Sequence, residues 1–469
     1  MTKYGQNWVV SFPKGACHGA RAGQPEYALS MWIRLLLVCG LVVSLEAQPD
    51  PRDLLLQVRD RVKDSIDRLP KYMCTQTIDR LRYEPAKDKQ ASKCDDGLAQ
   101  KDLHVATSDR LRFDVGMTGA GEMYTWAGAK RFDDRSLFDL VREGLIQNGI
   151  FAAFLTAVFR TEDATFSYNG EATEDGRALT EFGFRVPLEK SHYIFAGPNA
   201  RVTTAYEGEI FVDPKTSDLV RLVVRTSGLA PETGSCQVTT TLDYGRVRLE
   251  GGDFLLPTVA GSQVRDVNGT RSENRTVFSN CHEFLGESTV TFDPPPEAAA
   301  ATAPSPTRPA AALPAGLRFT VSTTQDIQTA TAAAGDLIQA KLAAAIRDAS
   351  NQVLAPAGAG ITARLVRIRR YFGGDSAVSM GLKLETIELG GVSVPLRARP
   401  NFAVRSFTAR PGSLLRQVEL GTLSNSEDRD VVVFEFHNMQ PKHVIGQGLE
   451  SGWITIDPSC GSEFFPCGR

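Results

Sequence analysis

The alternation of apolar and polar positions predicts a helix, then a mixed stretch, then a long series of strands. Over Asp50–Leu69, Leu54, Leu55, Val58, Val62, Ile66 and Leu69 recur at helical spacing. Arg59, Asp60, Lys63 and Asp67 fill the opposite face. Asp50 suits the N-cap, Pro51 the first turn, and Pro70 ends the helix. Strand-like pieces follow at Cys74–Tyr83 and Leu111–Val115. A second helical region starts at the capping-box spacing Ser136/Asp139, carries Leu140, Val141, Leu145 and Ile146, and stops at Asn148-Gly149. The next run, Ile150–Phe159, is apolar almost all round and predicts a helix that protein or lipid must cover, burial under a sheet being expected at this length and membrane insertion the alternative.

Beyond Thr161 the period becomes two. Thr165–Tyr168, Ala178–Val186, Thr203–Val212, Leu219–Arg225, Cys236–Leu249 and Phe254–Gln263 read as strands. Asn169-Gly170, Asp175-Gly176, Asp213-Pro214 and Gly251-Gly252 supply the turns between them. Consecutive strands on short turns form an antiparallel meander. The expected fold is mainly β: an α+β first domain over 48–293, built as a curved antiparallel half-barrel sheet packed on helices. Residues Pro294–Pro314 are Pro/Ala-rich with almost no core-forming side chains, which predicts a semi-extended linker. A smaller β-barrel domain over 315–469 follows. Its strands are Leu337–Leu342, Ile361–Ile368, Met380–Leu389 and Val392–Leu396, with Val431–Phe436 and Gly452–Ile456 in the tail.

Ahead of all this lies Met31–Ala47, MWIRLLLVCGLVVSLEA, a basic start, a short apolar core and a small-residue cut site. This is the layout of a signal peptide, and Ile33–Leu45 is short for a span of roughly 20 residues. Residues 1–30 are unpatterned, so Met31 is the expected start, with the protein exported to a periplasmic or outer-membrane-associated place. A cytosolic tail before an uncleaved anchor is the alternative, and lipidation through Cys39 is a weaker one. No stable transmembrane span is expected after cleavage.

Composition agrees with export. Of eight cysteines, Cys17 and Cys39 leave with the leader and six remain. Their local spacing pairs Cys74 with Cys94, Cys236 with Cys281, and Cys460 with Cys467, bonds that an oxidising compartment allows. A net charge of −3 argues against a nucleic-acid partner. The cluster Arg364, Arg367, Arg369 and Arg370 reads as a solvated strand face or rim, with an anion site as the alternative.

Candidate chemistry is sparse. Six scattered histidines fit no metal motif, no Gly-rich phosphate loop precedes a helix, and neither a cofactor nor a metal is expected. Cys281-His282-Glu283 has a better use for its thiol, and Gly374-Asp375-Ser376 lacks the surroundings of a hydrolase serine. The remaining candidate is apolar: Trp126, Phe138, Phe151, Phe154, Leu155 and Phe159 are either an ordinary core or the lining of a pocket for a lipid-like ligand.

Two resemblances add to this. Gly208–Leu222, with Leu242–Val247, Phe254–Pro257 and Glu122–Trp126, resembles the repeated hairpins of LolA/LolB-type periplasmic proteins over roughly Asp50–Asp293. That resemblance implies a half-open antiparallel barrel around helices, with an apolar cavity able to hold acyl chains. The Gly335-Asp336 strand start followed by Val353-Leu-Ala-Pro-Ala-Gly resembles the terminal β-barrel of TrbI-type conjugation-channel proteins over about Leu313–Arg399. Together they imply a non-enzymatic bacterial envelope protein. One domain would bind a lipid or lipoprotein, and the other would contact envelope proteins. A structural assembly part without ligand is the alternative, and an exported hydrolase using Ser376 or a carboxylate pair is a distant one.

Overall fold

In a computed structural model of the chain, the described residues are 50–284, 313–401, 418–421 and 429–457, apart from short internal stretches that include 151–152 and 374–375. The leader over 31–47, most of the linker, Phe151 and the Cys460/Cys467 pair lie outside them. The fold is mainly β, with a large curved antiparallel sheet.

Helix α1 (Pro51–Arg68) forms where its apolar stripe predicts. The Asp50 carboxylate accepts from the Arg52 N–H at 2.8 Å, and Leu54, Val58 and Val62 face the core. Next come β1 (Tyr72–Pro85), β2 (Leu103–Thr118) and β3 (Gly121–Trp126). The capping box at Ser136/Asp139 starts a helix, α2 (Leu137–Leu140), but it lasts one turn. The expected helix through Ile146 is absent, because the chain turns through Gly144 at φ +81° and Gly149 at φ +78°. The apolar run after it is helical over 153–160, in α3 (Ala153–Leu155) and a widened turn closed by the Thr161 N–H on the Thr156 carbonyl at 3.2 Å.

The strands that follow are β4 (Thr165–Glu174), β5 (Arg177–Val186), the short hairpin β6 (Ile194–Ala196) and β7 (Arg201–Thr203), β8 (Tyr206–Asp213) and β9 (Asp218–Thr226). Then come β10 (Ser235–Leu249), β11 (Gly252–Asp266) and β12 (Arg271–Glu283). Antiparallel ladders order them β4-β5-β8-β9-β10-β11-β12-β1-β2, with β3 added on β2. Strand β1 is central, and its inward side chains alternate as Tyr72, Cys74, Gln76, Ile78 and Arg80.

The second lobe begins with β13 (Arg318–Thr323), β14 (Ile327–Gln328), β15 (Leu337–Leu342), β16 (Ile346–Arg347) and β17 (Val353–Ala355). Strands β18 (Gly360–Tyr371), β19 (Ala377–Leu389), β20 (Val392–Pro395) and β21 (Ala398–Pro400) continue it. It ends with β22 (Val418–Gly421), β23 (Val431–His437), β24 (Val444–Ile445) and β25 (Glu450–Thr455). Its own core holds Leu365, Met380, Phe434, Phe436 and Trp453. The expected small barrel does not form as a continuous ladder. Residues 392–400 change partner midway, β20 lying on β19 and β21 on β25.

The two lobes share one ladder. Strand β18 pairs with β2 at Arg369↔Asp109, Arg370↔Ser108 and Tyr371↔Thr107, which joins nineteen strands of the described residues into one sheet. This corrects the reading of the arginine cluster as a solvated face. Arg364 is 2% exposed, donates to the Ala127 and Gly335 carbonyls and pairs with Glu385. Lobe contact also half-buries Arg369 against Asp109 and Glu143 of the first lobe, and the paired carboxylates make the burial of these two arginines tolerable.

The disulfides also differ from expectation. Cys74 bonds Cys281 and Cys94 bonds Cys236, so the local pairs Cys74–Cys94 and Cys236–Cys281 are not the ones made. Strand β12 runs beside β1 and carries Cys281 to Cys74, a partner 207 residues away.

Candidate functional site

The site sits on the concave face of the first lobe, where residues 143–149 cross the sheet as a strap. Sheet side chains and Gln147 hold it, rather than a strand ladder. The Arg80 Nη1 donates to the Glu143 carbonyl at 2.7 Å and to the Leu145 carbonyl at 3.2 Å. Asn274 Nδ2 donates to the same Leu145 oxygen at 3.0 Å. The Gln147 amide oxygen accepts from Thr240 Oγ1 at 3.3 Å and from Ser262 Oγ. At the far end the Gly149 N–H donates to Glu122 Oε2 at 2.6 Å. Beneath the strap, Val141, Ile146 and Ile150 pack into the apolar core, and Leu145 joins Phe195, Leu229, Val238 and Val264.

Arg80 is held in turn by Asp109, which also accepts from Arg369 of the second lobe at 3.2 Å through Nη2. Arg369 Nη1 reaches the Glu143 carboxylate of the strap at 2.6 Å. Burial lowers the Arg369 guanidinium, but Asp109 and Glu143 outweigh it and hold the proton above the ordinary arginine value. At the other end, burial and then the Glu122 carboxylate push the Tyr72 and Tyr124 phenols well above the tyrosine range. Both therefore stay protonated, and Tyr124 donates to Glu122 at 2.5 Å.

Between these polar ends the interior is apolar and aromatic. Phe154 meets Tyr193 edge-on at 5.3 Å and Tyr206 at 6.3 Å. Gln76 is 1% exposed, and neither atom of its amide has a partner among the described residues. A buried amide without partners is costly and marks a place where a polar group or water is wanted.

Four of the six apolar candidates meet in the first core. Phe154, Leu155 and Phe159 share the first core. Trp126 stacks on Phe113 at 4.6 Å, packs against that core and borders the lobe junction at Gly335. Phe138 is 48% exposed on α2, and Phe151 lies outside the described residues. Sequence reasoning missed Arg80, Asp109, Gln147, Glu122 and Asn274. The one legible signal was Gly144 and Gly149 flanking a short apolar segment, which marks an interrupted helix. Among the described residues no helix is long and apolar enough to cross a membrane, and no cluster of three His, Cys, Asp or Glu side chains is placed to hold a metal.

No family model matches the chain, and no curated protein matches it. Among solved structures, a putative outer-membrane lipoprotein-sorting protein domain from Vibrio parahaemolyticus aligns at 11% identity and a TM-score of 0.26, over 50% of this chain and 93% of its own. A LolA superfamily protein from Nitrosomonas europaea aligns at 12% identity and a TM-score of 0.21, over 50% and 93%. The MucA/MucB complex of Pseudomonas aeruginosa aligns at 11% identity and a TM-score of 0.16, over 84% and 99%. Likenesses of this strength leave the function to the chain's own geometry.

Proposed function

We propose that this chain is an exported, non-enzymatic cell-envelope protein, periplasmic or outer-membrane-associated, whose first lobe binds an apolar ligand such as a lipid or the acyl chains of a lipoprotein. The second lobe, over 315–469, is its contact with other envelope proteins. The observation that carries the reading is the strap: an extended segment lying over an apolar, aromatic interior, fixed by side-chain hydrogen bonds. Such bonds contribute about 1 kcal/mol each, so the strap can lift without unravelling the ladders below it. The interior it uncovers has the mostly apolar character of a ligand pocket, with Gln76 and the buried tyrosines as its few polar groups. Native mass spectrometry of protein purified from cells tests this. A co-purifying lipid, or uptake of added fatty acid, is the expected result. Bare protein that also ignores added fatty acid overturns the reading.

A further inference from the structure

A cavity of about 250 Å³ opens where the strap meets the lobe junction. Arg80, Arg82 and Arg369 line it, and Asp109 is the one acidic residue in its lining. The lining itself therefore carries three arginines against one carboxylate, while Glu143, which pairs with Arg369 from the strap, has 60% of its side chain exposed and is screened. Arg82 stands outside the Asp109 clamp. It pairs with Glu84 at 3.6 Å, where both side chains are about half-exposed and the pair is screened, and it also attracts the Asp266 carboxylate at longer range. Asn274 is 8% exposed, and its side-chain oxygen has no partner among the described residues. At about 30 Å³ per water, the space holds one phosphate-sized group with several waters. Leu145 and Gly144 of the strap form one wall, so a group seated here lies against the segment that covers the apolar interior.

We infer that this cavity seats an anionic oxyacid group, a carboxylate or a phosphate, as the head of an amphiphile whose chain lies under the strap. The inference rests on the lipid-binding reading above and adds the charge of the ligand. Guanidinium forks bind such oxyanions through charge-assisted hydrogen bonds, and Arg82 has N–H groups to spare. A hydroxyl or a bound water carried by the head satisfies the Asn274 oxygen.

The test titrates the full chain with oleate, with oleyl alcohol and with inorganic phosphate, in the native protein and in Arg82→Gln. Oleate is expected to bind about tenfold more tightly than the alcohol, the worth of one charge-assisted bond. Arg82→Gln should remove most of that preference and leave alcohol binding unchanged, which also shows that the variant is folded. Phosphate should weaken oleate binding and spare the alcohol. Equal affinities for oleate and alcohol in the native protein overturn the headgroup site while the apolar-ligand reading stands. Binding of neither amphiphile overturns both. Phosphate bound tightly by a protein that ignores the amphiphiles identifies a free-anion site and overturns the headgroup.

Discussion

Arg80 grips Asp109 with two hydrogen bonds, Nε to Oδ1 at 2.6 Å and Nη2 to Oδ2 at 2.7 Å, and both residues are under a tenth exposed. That grip leaves Nη1 aimed at the strap carbonyls of Glu143 and Leu145. Since Asp109 also accepts from Arg369, one carboxylate ties the central strand, the strap and the second lobe together.

Removing Arg80 therefore has two effects that can be measured separately. In Arg80→Ala, a buried carboxylate keeps only its bonds to Arg369, and the expected loss in urea denaturation of the full chain is about 3 kcal/mol. Hydrogen exchange at the strap amides, Gly149 among them, should speed up as the strap loosens. The double variant Arg80→Ala/Asp109→Ala should cost less than the sum of the singles, because it leaves no orphaned charge. A loss well under 1 kcal/mol with unchanged exchange removes Arg80 from its role as the clamp.

Peptide mapping without reduction should recover Cys74 linked to Cys281 and Cys94 linked to Cys236. The first bond closes 207 residues, and in the loop-entropy picture its removal in Cys74→Ser/Cys281→Ser costs roughly 4–5 kcal/mol, the lower figure applying while the inner bond stays closed. Locally paired peptides would overturn this connectivity.

The strand missed in the sequence explains why that pairing could not be read from it. Strands such as Arg177–Val186 and Ser235–Leu249 announce themselves because one face is buried and the other wet, so apolar residues alternate. Strand β12, RSENRTVFSNCHE, has only Val277 and Phe278 as large apolar residues, and its inward positions include Asn274 and Thr276. It faces the polar end of the interior, so burial leaves no apolar signature there. Cysteine spacing measures distance along the chain, whereas β12 sets distance in space. The arginines of β18 were misread for the same reason: a charged strand face looks solvated until a second lobe with matching carboxylates is laid against it. Helix α1 was legible because its cap, stripe and terminal proline are all local.

Tyr193 and Tyr206 meet edge-on at 5.6 Å around Phe154, and each titrates at about 12 rather than at the usual phenol value. Burial is the main cause for both. A bond with Thr240 partly opposes it at Tyr193, while Asp163 and Tyr193 add to it at Tyr206. As pH rises from about 10 to about 12, the unfolded chain gives up phenolic protons that the native protein keeps. The unfolded state then binds fewer protons, so this contribution to stability is complete below about pH 10 and is lost as pH climbs through about 12. Urea denaturation across that range should show the decline, and Tyr193→Phe/Tyr206→Phe should lessen it, the remainder belonging to buried phenols such as Tyr72 and Tyr124. An unchanged alkaline slope in the double variant would assign the decline to other groups.

At Gly335 the two lobes approach backbone to backbone. Its φ is +112°, and a Cβ there would lie 2.1 Å from the Arg112 carbonyl oxygen and 3.2 Å from the Trp126 ring. The neighbouring Ala334 makes a bond on each side, its carbonyl accepting from the Arg112 N–H at 2.7 Å and its N–H donating to the Arg110 carbonyl at 2.8 Å. Gly335→Ala therefore forces the backbones apart at the point where Asp336 pairs with Arg112. The left-handed backbone alone costs about 1–2 kcal/mol with a Cβ, and the clash adds to it. Because each lobe has its own core, the expected outcome is undocking rather than unfolding: a larger radius in solution scattering, and two thermal transitions in place of one. Gly358→Ala is the control, since Gly358 shares the backbone strain at φ +80° but has no atom near its Cβ position. If both variants shift stability equally and neither changes the scattering, the effect is local strain and the close approach does not hold the lobes together. If only Gly335→Ala separates them, the shared ladder of β2 and β18 depends on a residue with no side chain.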